Sequence, residues 1–338
     1  MNPSVVVVGS FVQDLTFFCE GFPRPGETTL GTFVSGPGGK GSNQAVAAAR
    51  AGARTRFVGA VGRDSFARGA AAFHQQEGIN SHLVTKAGHA TATAGIIVNQ
   101  AGQNEIVVAI GASAQLRPKD VPTKLLRGAS VVVAQHEASL AANLHVLRAA
   151  QKQGAITVLN PAPMRPDFDF AVLRHVDVLI PNESEFVALV QLMPAYSALL
   201  RKPPYSETGV FDVQSLAALP TDQFQQLCRA LHVPVVIVTL GVRGCFVSLA
   251  DRGEHLPAHA VAVVDSTGAG DAFVGGFAAG LVKYKGDTVQ AAHFGSAVAA
   301  LSVMKHGTSP SMPRKAQIAR FLRESSSSQR KPPRARAR

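Results

Sequence analysis

The sequence predicts a doubly wound α/β fold with a mostly parallel sheet, helices on both faces of that sheet, and a small additional β-sheet lid. Short apolar runs rich in β-branched residues alternate along the chain with Ala-rich stretches of helical pattern. The apolar runs are nearly continuous, as expected for strands that are covered by helices on both faces. Extended segments outside this alternation predict the lid.

The predicted elements of the main sheet alternate in chain order. The strands are Val5–Val8, Thr55–Val61, Val131–Ala134, Thr157–Leu159, Val176–Ile180 and Val235–Thr239. The helices between them are Ser42–Ala51, Ser65–Gln76, Leu140–Gln153 and Glu183–Leu192. Glycine follows three of these helices within two residues, at Gly52, Gly78 and Gly154, and glycine commonly ends a helix.

The lid is predicted from segments that break the strand–helix alternation. Two apolar runs, Thr93–Val98 and Glu105–Ile110, flank a polar turn and predict a β-hairpin. The stretch Thr28–Val34 has the same extended character. We therefore predict a lid sheet built from segments near 12–35 and 91–112.

The C-terminal half contains two further departures from the alternation. Residues 194–220 are rich in proline and predict an insertion that forms a loop on the surface. Residues 325–338 are polar, basic and proline-bearing, and predict a disordered tail. Because the sequence contains no internal repeat, we predict a single domain over residues 1–324.

The composition favours a soluble, globular protein. Hydrophobic residues make up 46% of the chain and charged residues 16%, which is enough apolar material for a large core. No apolar run approaches the roughly 18 residues of a membrane span, and the run after Met1 is too short for a signal peptide. The cysteines, Cys19, Cys228 and Cys245, form no CxxC pair, which indicates free thiols in a reducing compartment. We expect a cytoplasmic location.

The net charge of +11 raises the alternative of a nucleic-acid-binding protein. Five of the positive charges lie in the last nine residues, and the rest of the chain carries +6 with no Trp and no basic motif rich in aromatic residues. A moderate positive field also suits an enzyme that binds anionic substrates. The charge distribution therefore argues against nucleic-acid binding as the primary function.

The segment Val264–Phe277 carries the strongest chemical signal. Gly268 and Gly270 precede Asp271 at the predicted start of an Ala- and Phe-rich helix. Helix starts expose unpaired N–H groups and a positive dipole end, so they bind anions. An aspartate beside a bound phosphate would repel it, so we interpret Asp271 as a base beside a transferring phosphoryl group. The alternative is an ordinary first-turn aspartate.

The segment Gly36–Ala45 carries the second signal. It contains a formal GxGxxG, but no strand with an acidic end follows at the spacing of a dinucleotide-binding unit. Lys40 precedes Gly41, so the segment is not a Walker A loop either. The remaining interpretation is a glycine-lined turn that places Lys40 and Asn43 at the mouth of a helix, where they can bind hydroxyl groups. The alternative is a purely structural turn.

Together these motifs resemble the ribokinase-like carbohydrate kinases, also called the phosphofructokinase-B family. Gly38–Asn43 resembles the first signature of the family, and Asp265–Asp271 resembles the second. The resemblance runs from Val5 to about Pro313 in the expected order. Between the signatures it includes Gly9-Ser10 with Asp14, Pro25–Glu27, Asn43–Val46, Asn160–Pro163, Pro181–Glu185 and Thr239–Gly241.

The resemblance implies a set of site residues. Asp271 would be the catalytic base, and the amides of Gly268, Ala269 and Gly270 would stabilise the transferring group. The sugar hydroxyls would be bound by Asp14, Gly39, Lys40, Asn43, Glu137 and Asp271. The nucleotide would be bordered by Asn182, Thr239, Gly241, Gly244, Gly270 and Ser296. Glu185, with Asn182, would organise Mg²⁺. A monovalent cation would be surrounded by Asp265, Thr267, Ser302, Lys305, Gly307 and Ser311.

The activity implied by the resemblance is ATP-dependent phosphorylation of the primary hydroxyl of a small sugar, with Mg²⁺, with K⁺ as an activator, and in a homodimer paired through the lids. The intervening matches favour D-ribose as the sugar. Deoxyribose, adenosine and pseudouridine remain alternatives, because Val12 stands where bacterial family members often have Asn. A non-catalytic sugar-binding protein is the alternative from another class, against which the intact Asp271 argues.

Overall fold

The structure, a computed structural model, describes residues 4–193, 200, 205 and 210–329. The strands, in chain order, are β1 (Val5–Val8), β2 (Val12–Cys19), β3 (Gly31–Gly38), β4 (Thr55–Val61), β5 (Asn80–Thr85), β6 (Ala92–Val98), β7 (Asn104–Ala109), β8 (Val131–Gln135), β9 (Ile156–Asn160), β10 (Val178–Leu179), β11 (Val235–Thr239), β12 (Cys245–Ser248) and β13 (Gly253–Leu256). The helices are α1 (Lys40–Arg50), α2 (Ser65–Gln76), α3 (Leu140–Lys152), α4 (Glu183–Gln191), α5 (Val213–Ala218), α6 (Thr221–Ala230), α7 (Ala269–Lys283), α8 (Thr288–Ser302) and α9 (Lys315–Gln329).

The main sheet has nine strands in the order β13-β12-β11-β10-β9-β8-β1-β4-β5. Its strands pair in parallel except for β12, which pairs antiparallel with both β11 and β13. From β1 the chain first proceeds to β4 and β5 on one side and later to β8 on the other. The strand order therefore reverses between β1 and β8, and ligands bind at such a point in open α/β sheets. The predicted doubly wound fold is confirmed.

Burial explains why the strands are apolar throughout. All four valines of β1 are fully buried, and each pairs with a residue of β4 on one side and of β8 on the other. One hydrophobic cluster combines strand residues with α1, α7 and α8, and a second lies on residues of α3, α4 and α6. Helices therefore cover both faces of the main sheet, as the continuous apolar runs predict.

The lid sheet is a separate four-stranded sheet in the order β3-β2-β6-β7. Strand β2 begins four residues after β1 ends, and β3 leads directly into α1 at Lys40. The predicted hairpin is the antiparallel pair β6 and β7. The lid therefore joins the main sheet at both ends of the β2–β3 unit, close to the reversal of strand order.

Several predictions differ from the structure. In the segment 194–220, residues 213–218 form the helix α5, and Leu200, Tyr205, Phe211 and Leu216 are buried in the second hydrophobic cluster; its other residues up to 209 lie outside the described residues. Helix α9 extends to Gln329, so the predicted disordered tail is helical in its first part, and residues 330–338 lie outside the described residues. Among the described residues no helix is long and apolar enough to cross a membrane.

Candidate active site

The candidate active site lies at the carboxyl ends of β1 and β8, the neighbouring strands between which the strand order reverses. Ser10 follows β1, and Glu137 follows β8. The Ser10 hydroxyl donates a hydrogen bond to Oε2 of Glu137, and the backbone N–H of Lys40 donates to the same oxygen over 2.9 Å. The start of α1 is therefore tied to the carboxyl end of the sheet at the reversal point.

Helix α1 begins at Lys40 because Gly39 allows a tight approach. Gly39 has φ of 88°, and a Cβ built on it would lie 2.6 Å from the backbone nitrogen of Val12. The left-handed conformation and this proximity both require glycine. The turn therefore packs Gly39 against the first residue of the lid and places Lys40 and Asn43 in the first turn of α1, at the mouth of the helix, as the glycine-rich motif predicts.

Asp271 is the third residue of α7 and is buried. Its Oδ2 accepts a hydrogen bond of 3.0 Å from Nδ2 of Asn43, and its Oδ1 accepts one of 3.0 Å from Nε2 of Gln44. Both donors belong to α1. The carboxylate is therefore held in one orientation by two neutral amides.

Close packing of α1 against α7 makes these bonds possible. A Cβ built on Gly275 would lie 2.3 Å from the carbonyl oxygen of Gln44, so only glycine permits this contact. Gly276 faces α8 in the same way, with a built Cβ 2.7 Å from Cβ of Val298. The Gly275-Gly276 pair thus sets the distance between α7 and its neighbours on two sides.

The start of α7 borders a polar cavity of about 170 Å³. Gly268 is the N-cap, and the N–H groups of the first turn have no acceptor within the helix. These N–H groups and the positive end of the helix dipole make the cavity suitable for a phosphate group. The cavity is lined by Lys40, Asn160, Ala162, Ile180, Asn182, Glu185, Thr239, Ser266, Gly268, Ala269, Gly270, Asp271 and Val274.

The predicted sugar-binding residues include a partly buried group of charged side chains. Burial raises the pKa of the Asp14 carboxyl to about 6, and the charges of Glu137 and Asp271 contribute, while a hydrogen bond with Thr308 opposes the shift. Burial also raises the pKa of Glu137, against the hydrogen bond from Ser10 and the charge of Lys40. The pKa of Lys40 is raised by Asp271 and Glu137 despite burial. This arrangement offers several acceptors and one cation to a polyol.

Glu185 and Asn182 form a capping box at the start of α4. Oδ1 of Asn182 accepts from the Glu185 N–H over 2.9 Å, and Oε2 of Glu185 accepts from the Asn182 N–H over 2.9 Å. Burial raises the pKa of the Glu185 carboxyl, and the Asn182 amide and Lys40 oppose this shift. The box orients one carboxylate and one amide into the same cavity as Asp271.

The predicted nucleotide residues are only partly brought together. Thr239 ends β11, lines the cavity and donates its N–H to the Pro181 carbonyl over 3.0 Å. Gly241 and Gly244 form the tight turn that follows β11. Ser296 lies on α8, half-buried. Neither this serine nor the two glycines belong to the described lining of the cavity.

Asp265 joins two loops behind the start of α7. Its Oδ1 accepts from the Thr267 N–H and its Oδ2 from the Gly307 N–H, each over 2.9 Å. Burial acts to raise the pKa of this carboxyl, but these hydrogen bonds prevail and the pKa is lowered. The hydroxyls of Ser302 and Ser311 donate to nearby carbonyls, and Lys305 is exposed. Of the predicted cation residues, the structure thus joins Asp265, Thr267 and Gly307 by hydrogen bonds at the turn before α7.

Sequence reasoning missed a chain of buried amides behind Asp271. Gln44 donates to both Asp271 and Oδ1 of Asn160, and Nε2 of Gln135 donates to Oε1 of Gln44 over 2.6 Å. Ser309 donates to Oδ1 of Asn43 over 2.7 Å. Gln44 and Asn160 belong to segments that resemble the family, so the resemblance singled out their positions and gave them no role.

Comparison with known proteins agrees with this geometry. Residues 2–315 match the family described as pfkB family carbohydrate kinase. The chain belongs to the pfkB family of carbohydrate kinases. It is 35% identical over 325 residues to a ribokinase of Mus musculus, covering 93% of each chain, and 31% identical to a deoxyribokinase of Salmonella typhi, covering 94% of this chain and 98% of the relative.

Among solved structures, the chain is similar to Arabidopsis thaliana ribokinase complexed with ribose and ATP, with a TM-score of 0.80 and 29% identity over 95% of this chain and 99% of that one. The prediction of an ATP-dependent sugar kinase is confirmed at the level of the pfkB family. The relatives include both a ribokinase and a deoxyribokinase, so the family alone leaves the sugar open.

Proposed function

We propose that this chain transfers the γ-phosphoryl group of ATP to the primary hydroxyl of D-ribose and so forms ribose 5-phosphate. The observation that carries the proposal is the position of Asp271. Its carboxylate lies in the first turn of α7, at the edge of the polar cavity, and it is held there by Asn43 and Gln44 of the glycine-rich turn and helix. The Asp271 carboxylate would therefore contact both the bound sugar and the transferring phosphate.

The reaction follows from this arrangement. Asp271 takes the proton of the primary hydroxyl as its oxygen attacks the γ-phosphate in line. The N–H groups of Gly268, Ala269, Gly270 and Asp271 are the proposed donors to the oxygens of the transferring group. Lys40, close to Asp271 and Glu185, adds a positive charge at the boundary between sugar and phosphate. Positioning and electrostatic stabilisation supply most of the rate in phosphoryl transfer.

The sugar would be bound by Asp14, Gly39, Lys40, Asn43, Glu137 and Asp271. Carboxylates and amide oxygens accept hydrogen bonds from hydroxyl groups, while Lys40 and the Asn43 amide donate. Burial raises the pKa values of Asp14 and Glu137, so both carboxylates have lost part of their contact with water. A polyol restores the hydrogen bonds that burial removes, which supports a small sugar as substrate.

The residues present fit a magnesium ion. Asn182 and Glu185 border the same cavity as Asp271, and hard oxygen ligands of this kind suit Mg²⁺ and its water shell. When bound, the ion would neutralise charge on the phosphate oxygens. Thr239, Gly241, Gly244 and Ser296 are the proposed contacts of the rest of the nucleotide, on the side of β11 and α8.

We also propose a monovalent cation, K⁺, at the turn before α7. Asp265 offers the one carboxylate there, and Thr267, Ser302, Lys305, Gly307 and Ser311 would contribute mostly backbone carbonyls. A single negative charge with neutral oxygens suits a weakly charged ion. The cation would act by fixing the turn that ends at Gly268.

Homodimerisation through the lid and a cytoplasmic location complete the proposal. One face of the lid exposes large apolar side chains, including Phe17, Phe33 and Val107, which is exposed by 76%. Phe17 and Phe33 are cross-strand partners with ring centroids 5.0 Å apart. Such a patch commonly marks an interface. Sedimentation analysis of the parent and of Val107→Lys tests this interface. The parent is expected to form a dimer, and the variant is expected to dissociate more readily.

The substrate is tested by measuring ADP release with ribose, deoxyribose, fructose, adenosine and pseudouridine at equal concentrations. Ribose is expected to give the highest kcat/KM, and NMR of the product should show phosphate on the primary hydroxyl. A higher kcat/KM for deoxyribose or a nucleoside would show that this compound, rather than ribose, is the substrate. No activity with any of the five, despite measurable ATP binding, would favour the non-catalytic alternative.

A further inference from the structure

A second pocket lies between the start of α3 and the 3-10 helix Phe170–His175. Its volume is about 190 Å³. Its mouth is formed by exposed residues such as Ala141, Leu144 and Asp169, and its interior is buried. The pocket is lined by His136, Leu140, Ala141, Asn143, Leu144, Leu159, Phe168, Asp169 and Val172, none of which lines the phosphate cavity.

Two polar atoms lie buried at this pocket without a partner among the residues that the structure describes. They are Nδ1 of His136 and Oδ1 of Asn143, on side chains of residues that are 3% and 2% exposed. A buried polar atom without a hydrogen bond destabilises the folded state. The mostly apolar wall therefore contains an unmet requirement for hydrogen bonding.

Both atoms are acceptors. The Asn143 amide is oriented by its Nδ2, which donates to the Gln135 carbonyl over 2.6 Å, so Oδ1 is left as an acceptor. Burial lowers the pKa of His136 to about 4, helped by the charge of Arg165, so the ring is neutral at physiological pH. The ring also interacts with the Pro163 carbonyl, and because Nδ1 has no partner we assign the donated hydrogen to Nε2, which leaves Nδ1 with its lone pair. The site therefore requires a ligand with N–H or O–H groups.

The size and lining restrict the ligand further. An apolar cavity of about 150 Å³ binds benzene in another protein, so this pocket has room for one aromatic ring with a small substituent. Leu140, Leu159, Phe168 and Val172 supply apolar contacts for the ring. A carboxylate or phosphate ligand would face two hydrogen-bond acceptors and the negative charge of Asp169 at the mouth of the pocket. Anionic ligands are therefore excluded.

We propose that this pocket binds a small uncharged aromatic molecule that carries a hydroxyl or amino group. A hydroxyl group would donate to one of the two acceptors, Nδ1 of His136 or Oδ1 of Asn143, and an amino group could donate to both. The pocket is distinct from the phosphate cavity, because the two share no lining residue. It therefore stands or fails separately from the proposed reaction.

The test compares phenol with anisole, which has a similar shape and no donor, by titration calorimetry on the full chain. Phenol is expected to bind about 2- to 10-fold more tightly, the range that corresponds to one net hydrogen bond. Ala141→Phe, which fills the mouth, should abolish phenol binding, whereas Arg148→Phe on the exposed face of the same helix should leave it unchanged. An unchanged circular dichroism spectrum would show that both variants fold.

Three results would overturn the proposal. Equal affinity for phenol and anisole would show that the acceptors do not select the ligand. Phenol binding that survives Ala141→Phe would place it elsewhere on the protein. Absence of binding by both molecules at millimolar concentration would mean that water alone serves His136 and Asn143.

Discussion

Asn43 and Asp271 are 228 residues apart in the sequence, and their side chains are joined by a hydrogen bond of 3.0 Å between Nδ2 and Oδ2. The bond links the start of α1, which follows the lid, to the start of α7, which borders the phosphate cavity. The orientation of the proposed base therefore depends on the helix that is proposed to bind the sugar. This dependence leads to separate expectations for the two residues.

Asp271→Asn is expected to retain the fold and ATP binding and to lower turnover by at least about 10²-fold, because the amide cannot accept the hydroxyl proton. Turnover is measured by ADP release and ATP binding by calorimetry. Asp222→Asn, an exposed acidic residue in the first turn of α6, is the matched control and should behave as the parent. Turnover of Asp271→Asn within tenfold of the parent would rule out Asp271 as the base.

Asn43→Ala is expected to raise the KM for ribose far more than the KM for ATP, because Asn43 is proposed to bind the sugar hydroxyls. The two KM values are obtained from saturation curves with the other substrate held in excess. Asn104→Ala, an exposed amide on β7, is the control and should change neither value. Equal increases in both KM values would mean that the glycine-rich turn is only structural.

Asp14→Asn is expected to stabilise the fold at pH 7.5 at the expense of sugar binding. The pKa of Asp14 is about 6 in the folded protein, against an ordinary 3.8, so the folded state binds more protons than the unfolded state between these values. The charged carboxylate therefore destabilises the parent above about pH 6, by at most about 3 kcal/mol. Below about pH 4 the group is neutral in both states, and the difference should vanish.

Urea denaturation of the parent and of Asp14→Asn, at pH 7.5 and below about pH 4, measures the difference between their free energies of unfolding. Asp287→Asn is the control of opposite sign, because the pKa of Asp287 is lowered by hydrogen bonds from Gln290, so losing its charge should destabilise the fold at pH 7.5. Equal stability of the parent and Asp14→Asn at pH 7.5 would contradict a desolvated carboxylate at this position.

Activation by K⁺ is expected if a cation fixes the turn between Asp265 and Gly268. Turnover is compared with K⁺, Na⁺ and Tris⁺ as the only monovalent cations at constant ionic strength. Misaligned amides should cost rate, because a preorganised donor is commonly worth about 3 kcal/mol in a transition state. Asp265→Asn should remove the difference between cations. Identical parental turnover in all three would eliminate the cation site.

The sequence was sufficient for the order and type of most elements, because the β-branched runs and the glycine stops are local signals. It was insufficient where structure depends on distant partners. Strands β5, β12 and β13 were not predicted, and β5 is a half-exposed edge strand without a continuous apolar run. Helix α5 lies in a proline-rich segment, where it is stabilised by burial of Leu216.

The site was predictable in its two motifs and not in the contacts between them. Asp271 and Asn43 could be singled out because each follows a glycine-rich turn. The bond from Gln44 to Asp271 spans 227 residues, and the glycine that permits it, Gly275, shows no such role in the sequence. The packing of α1 on α7 brings the amides of Asn43 and Gln44 to this carboxylate, and the sequence does not show that packing.

Asp14 is part of β2 and hence of the lid sheet, whereas Lys40, Asn43 and Asp271 belong to helices of the main body. The apolar cluster at the starts of β2 and β6 is small and consists of Val12, Ala92 and Ala94, with Ile96 packed against them. A sugar bound by Asp14, Lys40, Asn43 and Asp271 would therefore connect the lid sheet to the main body. Product release and separation of the sheets would then be a single event, and turnover could not exceed the frequency of that separation.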